Sequence, residues 1–203
     1  MGREIGVACV CGSFRATIRE ASEKTDTHAV CYCVDCRAFA RHLGQEARVL
    51  DASGGSELYQ VQPWQVEIRE GREHLKVLQL APKGLYRWYA ACCDTPVCNT
   101  IGTPKIPVAS FVAANLDAPP DTLGPLVVRY KPDQATGPVP DDRGSTLRFA
   151  YRTARNGLRS RLSGKWRQTP FFDVETGRSV VKPHVLTAEE RAAAYDAPDA
   201  AET

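Results

Sequence analysis

The stretch CYCVDCR at residues 31–37 places three cysteines, Cys31, Cys33 and Cys36, within six positions. A tetrahedral metal takes four ligands, and this segment offers three. What occupies the fourth place decides whether the segment is a structural clip or a reactive centre. Five further cysteines fall in two other groups: CVCG holds Cys9 and Cys11, and CCDTPVC holds Cys92, Cys93 and Cys98. Cysteines used only as core filler would not bunch in this way. In a reducing compartment stable disulfides are disfavoured, so clustered thiols point to metal binding.

The rest of the chain is compatible with one metal-stapled domain. Its 203 residues suffice for one well-buried domain, or one domain with an appendage. Hydrophobic residues at 43% and charged residues at 25% are ordinary for a soluble globular protein. No apolar run approaches the ~20 residues that cross a bilayer. The first residues, MGREIGVACVCGSFRA, alternate like a strand and lack the apolar core of a secretory signal. The myristoylation pattern also fails, because Ile5-Gly6 stands where Ser or Thr is favoured. A cytoplasmic protein without a membrane span is expected.

Periodicity gives a mainly β reading. Residues 4–19 alternate on either side of Gly12, which predicts a hairpin with Cys9 and Cys11 pointing to the same side. DCRAFARHLG predicts a short helix closed by Gly44. A meander is expected next, with strands at 65–70, 74–80 and 85–92 and turns at EGR and APKG. IPVASFVAANLD predicts one more strand. Metal knuckles would then sit at strand ends. Trp64, Trp88 and Phe111 are expected in the core.

The character changes near residue 131. The predicted organisation is a zinc-binding β domain over 1–130, a Pro-rich loop over 131–146, and a C-terminal extension over 147–203. In that extension Leu147, Tyr151, Ala154, Leu158 and Leu162 recur at i+3 and i+4, the mark of an amphipathic helix. Residues 143–172 contain eight basic side chains and no acidic one, although the whole chain carries a formal net charge of only +2. The expected arrangement docks the apolar stripe and leaves a solvated basic face. That face would attract an anionic small molecule, an acidic partner, a membrane surface or a nucleic acid. GKWRQTPFFDVETGRSVVKPHVL should lie extended over the domain, and TAEERAAAYDAPDAAET should end in a short helix and a loose tail.

The order C-x-C-G, then C-x-C-x-x-C, then a cysteine-bearing segment after an aromatic strand resembles the glutathione-dependent formaldehyde-activating enzyme family, which includes centromere protein V. The resemblance covers about residues 4–116. It implies an all-β, tent-like zinc fold with two zinc sites. Cys9 and Cys11 would be structural ligands, and Cys31, Cys33 and Cys36 would form an open site at the active centre. The third motif departs from the family, whose late element reads F-C-x-x-C-G. Here RWYAACCDTPVCNT has no C-x-x-C, and Asp94 stands where glycine would follow Cys93. Cys93 best matches the family's second cysteine, and either Cys92 or Cys98 would complete the structural set. Adjacent residues on a straight strand face opposite ways, which weighs against Cys92 unless the chain kinks. Cys98 lies beyond Pro96, where a turn would bring it back.

Three thiolates around a dication leave a net charge of about −1, which makes a weak activator of water but a good partner for another thiolate. The resemblance therefore implies carbon–sulfur lyase chemistry on a thiol–aldehyde adduct, with glutathione as the thiol. His28 and His42 are the nearest titratable groups for the accompanying proton, and His42 could instead close the site as a ligand. Asp35 suits a turn, and Arg37 suits either charge balance or a substrate carboxylate. The competing expectation is a non-catalytic zinc-stabilised module that uses its basic helix on an acidic partner.

Overall fold

The computed structural model describes residues 2–196. In chain order its strands are β1 (Arg3–Ala8), β2 (Arg15–Ala21), β3 (Thr27–Cys31), β4 (Ser56–Val61), β5 (Val66–Glu70), β6 (Leu75–Gln79), β7 (Tyr86–Ala90), β8 (Thr95–Thr100), β9 (Ala109–Val112), β10 (Leu116–Asp117), β11 (Leu126–Tyr130) and β12 (His184–Val185). The α-helices are α1 (Val34–His42), α2 (Glu46–Val49), α3 (Thr146–Leu162) and α4 (Ala188–Asp196). The strands form two sheets, ordered β10-β1-β2-β5 and β11-β3-β4-β9-β8-β7-β6-β12. The mainly β expectation therefore holds.

The predicted hairpin is β1–β2, with Ile5 opposite Ile18 and Val7 opposite Ala16. Its period-two alternation buries those four side chains on one face. There they meet Tyr59, Trp88 and Phe111 from the larger sheet, so the main core lies between the two sheets. The predicted meander is not one ladder. β5 pairs with β2 in the small sheet, whereas β6 pairs with β7 in the large one. Gly71, at φ 69°, and a tight turn over Arg72–His74 carry the chain from one sheet to the other. The strand predicted over 106–117 is likewise divided, because a turn at Ala113–Asn115 separates β9 from β10.

The chain beyond 131 wraps back over this frame. The Pro-rich loop lies along the turn at 51–55, where Ser53 Oγ donates to Pro138 O at 2.6 Å and Thr136 N donates to Ser53 O at 3.0 Å. Phe171 and Phe172 pack on Trp88 at centroid distances of 5.0 and 6.3 Å. β12 then adds to the edge at β6, and α4 packs on α1, where Arg41 Nη1 donates to Ala194 O at 3.2 Å. The loose tail expected at the C-terminus falls on 197–203, outside the described residues.

Helix α3 exists as predicted but docks the other way round. Leu147, Tyr151, Leu158 and Leu162 are exposed, while Arg152, Asn156 and Ser160 are buried. The reason lies in the turn between β2 and β3. Three successive carbonyls there, of Glu23, Lys24 and Thr25, accept from Arg152 Nη2, Arg155 Nη2 and Asn156 Nδ2. Thr153 Oγ1 adds a bond to Gln60 Oε1 at 2.8 Å. These carbonyls accept hydrogen bonds from the polar face of α3, and leucines offer no donor. Ser145 caps the helix by accepting from Arg148 N at 3.1 Å, and its own N–H donates to Val127 O on β11.

Candidate metal centres

Cys9, Cys11, Cys92 and Cys93 come together with all four sulfurs within 4.8 Å of one another. β1 ends at Ala8, and Gly12 at φ 77° turns the chain so that Gly12 N donates to Cys9 O at 3.0 Å and Phe14 N donates to Cys9 Sγ at 3.2 Å. The partners come from the far sheet. β7 stops at Ala90, and residues 91–94 form a turn in which Asp94 adopts φ 49°. Aspartate tolerates that left-handed conformation better than most residues. The turn is the kink that lets neighbouring Cys92 and Cys93 face one point.

This geometry bears on the choice between Cys92 and Cys98. Pro96 does not start a return turn; it sits within β8 at a register shift opposite Tyr89, where no ladder N–H is required. The strand runs on and places Cys98 opposite both Trp88 and Phe111, fully buried in the main core. Cys98 thus lies apart from the other three thiols, and Cys92 is the one grouped with Cys9, Cys11 and Cys93.

Cys31 closes β3, Cys33 caps α1, and Cys36 lies in the first helical turn. Cys33 Sγ stands 3.3 Å from both Cys31 Sγ and Cys36 Sγ. Local structure does all the positioning: Cys36 N donates to Cys33 O at 3.0 Å, and the helix N-terminus aims its partial positive charge at the thiols. The hydrogen bonds from Cys31 and then Cys36 push the Cys33 thiol well down, with the Arg87 charge helping, while the bonds with Cys33 and Cys36 hold Cys31 up. Among the described residues no fourth Cys, His, Asp or Glu completes this group.

The sulfur spacings suit a metal. A tetrahedron with zinc–sulfur bonds of about 2.3 Å has edges of about 3.8 Å. The four-thiol set shows 3.5 Å for Cys9–Cys11, 3.7 Å for Cys9–Cys92 and 3.8 Å for Cys92–Cys93, with Cys11–Cys92 shorter at 3.3 Å. All eight cysteines are free thiols.

Arg87 is the residue that sequence reasoning missed. It lies on β7, 2% exposed, with its guanidinium over the Phe39 ring, Nη1 donating to Asn99 Oδ1 at 3.2 Å and Nη2 3.8 Å from Asp35. The available signal was a cation in the middle of the apolar strand YRWYA. The cation chosen from sequence, Arg37, is tied instead to the carbonyls of Tyr32 and Gln134, at 2.9 and 2.7 Å. Asp35 is more than a turn former, because Tyr195 also donates to it at 2.6 Å.

Neither histidine joins the thiols. His28 holds Glu57 at 2.6 Å through Nε2 and Gly124 O at 3.0 Å through Nδ1. His42 is the last residue of α1, about 9 Å along the helix from Cys36. Trp64 is only partly buried, with Lys165 Nζ 3.6 Å from its ring centroid, whereas Trp88 and Phe111 fill the core as expected.

Among the described residues no helix is long and apolar enough to cross a membrane. No curated protein matches the chain. A crystal structure of a Rhodobacter sphaeroides protein is similar over 60% of this chain and 96% of its own, at 16% identity and a TM-score of 0.41. A likeness at that level carries no argument. The family described as "Family of unknown function (DUF6151)" matches residues 1–182, a span that takes in both thiol groups and α3. The chain belongs to that family.

Proposed function

We propose that this protein binds two zinc ions and acts at the three-cysteine one as a carbon–sulfur lyase on a thiol–aldehyde adduct such as S-hydroxymethylglutathione. One observation carries the reading. Four thiols gather in one group, as many as a tetrahedral metal takes, and the separate group of Cys31, Cys33 and Cys36 has three. Zinc suits both, since it favours thiolates and has no redox chemistry of its own. The tent-like zinc fold belongs to the same proposal.

When bound, zinc in a three-thiolate site supplies a place for a further sulfur held as thiolate. The chain's own residues do the rest. Cys31, Cys33 and Cys36 leave the site about one unit negative, and buried Arg87, itself 3.8 Å from Asp35, favours the thiolates of Cys33 and Cys36 without taking a coordination place. Cys33 is the most exposed of the three thiols, so substrate approaches past it. As the adduct breaks, the carbon–sulfur bond cleaves, sulfur keeps the electron pair, the hydroxyl oxygen becomes a carbonyl, and its proton passes to solvent at that edge. His28 is not needed as a base, because both its ring nitrogens are already engaged.

Elemental analysis of the full chain and of a Cys31→Ser/Cys33→Ser variant tests the sites. Two zincs per chain are expected to fall to one, with the circular dichroism unchanged. Formaldehyde–glutathione exchange followed by carbon-13 NMR tests the reaction, which should be catalysed by the native protein and lost in the variant. One zinc in both proteins, or exchange unaffected by the change, would overturn the proposal.

A further inference from the structure

Helix α3 presents solvent with what amphipathic helices ordinarily bury. Leu147, Tyr151, Leu158 and Leu162 are 84%, 65%, 59% and 80% exposed. Their spacing puts them on a single stripe about 23 Å long. The opposite face cannot be exchanged for it, because Arg152, Arg155 and Asn156 are committed to the carbonyls of Glu23, Lys24 and Thr25. The stripe is therefore held outward by the fold. It is also flanked by cations: Arg148, Arg159 and Arg161 are exposed beside it, Arg167 follows, and no acidic residue occurs between 143 and 172.

We propose that α3 docks this protein on an anionic lipid bilayer. The leucines and Tyr151 would enter the boundary between headgroups and acyl chains, and the flanking arginines would meet lipid phosphates. Charge complementarity selects this occupant. A second copy meeting across the stripe would bring arginine flanks together, with only Asp141 and Asp142, ahead of the helix, to answer them. A nucleic acid would satisfy the arginines but lay its phosphates against four exposed apolar side chains. A convex apolar ridge with basic edges matches a deformable interface that is apolar below and anionic above. A domain that presents only the apolar face of such a helix, with the polar face already hydrogen-bonded to itself, arrives with the ordering cost already met.

The test uses the full-length protein and sedimentation with vesicles, either of pure phosphatidylcholine or of phosphatidylcholine mixed with phosphatidylglycerol. The protein should pellet with the mixed vesicles and stay in solution with the neutral ones. Arg148→Gln/Arg159→Gln should lower binding by about tenfold or more, each cation near the surface being worth about 1 kcal/mol. Leu147→Glu/Leu158→Glu should abolish binding while zinc content and circular dichroism stay native, since both side chains are exposed. Equal binding to neutral vesicles, or indifference to the leucine change, would overturn the proposal. So would dimerisation in sedimentation equilibrium that the leucine change abolishes without vesicle binding, or binding to duplex DNA in place of vesicles.

Discussion

The two thiol groups use the same ligand chemistry but are assembled differently. Cys31, Cys33 and Cys36 lie within six residues, and a strand end, a helix cap and one helical turn position them all. Cys9 and Cys11 must instead meet Cys92 and Cys93 across more than eighty residues, joining the β1–β2 hairpin of one sheet to the end of β7 in the other. A local site can lose its metal while the fold persists. A site that ties two sheets together contributes its binding energy to folding. On the proposed reading, the difference separates a clip from a place where chemistry can occur.

The largest test of that contrast is Cys9→Ser. It should remove the inter-sheet tie and lower the midpoint of thermal unfolding by about 10 °C or more, each kcal/mol being worth about 2–4 °C at this chain length. The Cys31→Ser/Cys33→Ser variant should shift the same midpoint by only a few degrees, about the worth of 1 kcal/mol. Equal shifts in the two would erase the distinction. Arg87→Met sharpens it from the other side. Removal of the buried cation should weaken zinc at the three-cysteine site by about 10- to 100-fold in a chelator competition and leave the four-cysteine zinc unchanged. A smaller effect is expected from Cys98→Ala. The lost sulfur should cost about 1 kcal/mol of core packing, with two zincs per chain retained. A loss of zinc would return Cys98 to the ligand set.

The smallest prediction concerns pH and lies away from both sites. Burial disfavours charge on His28, but the Glu57 carboxylate and the Gly124 carbonyl outweigh it and raise the imidazole above its usual value. The same pair lowers Glu57. The raised histidine contributes stability below its unfolded value, about 6.5, and loses it as pH rises through the folded value. Lowered Glu57 contributes above its own unfolded value, about 4.3, so the two together act in mildly acidic solution. Glu57→Gln should therefore destabilise the protein more at pH 6 than at pH 9. The difference should be about 0.5 kcal/mol by denaturant titration, because Glu57 is half exposed and screened by solvent.

Much of the architecture was legible because it is local. Alternation about Gly12 gave the hairpin, the i+4 recurrence placed α3 at its ends, and the knuckles fell at strand ends. The division of the expected meander between two sheets was not legible. Alternation tells a strand which face to bury but not which neighbour to take. Pro96 misled for a related reason: proline ordinarily interrupts a central strand, and only the register shift opposite Tyr89 accommodates it.

The sequence by itself determined the set of thiols, the composition of the three-cysteine group, and the existence and amphipathicity of α3. Spacing within one turn or one strand end leaves little freedom. The tertiary structure alone decided the remainder. It grouped Cys92 rather than Cys98 with the other three thiols through a left-handed turn at Asp94, set the charge of Arg87 to act on Cys33 and Cys36, and turned the leucines of α3 outward. The outward turn of the leucines depends on polar groups of a distant segment, the carbonyls of Glu23, Lys24 and Thr25 that the polar face of α3 satisfies. Hydrophobic periodicity describes what a segment can bury, and the unpaired groups it meets decide what it does bury.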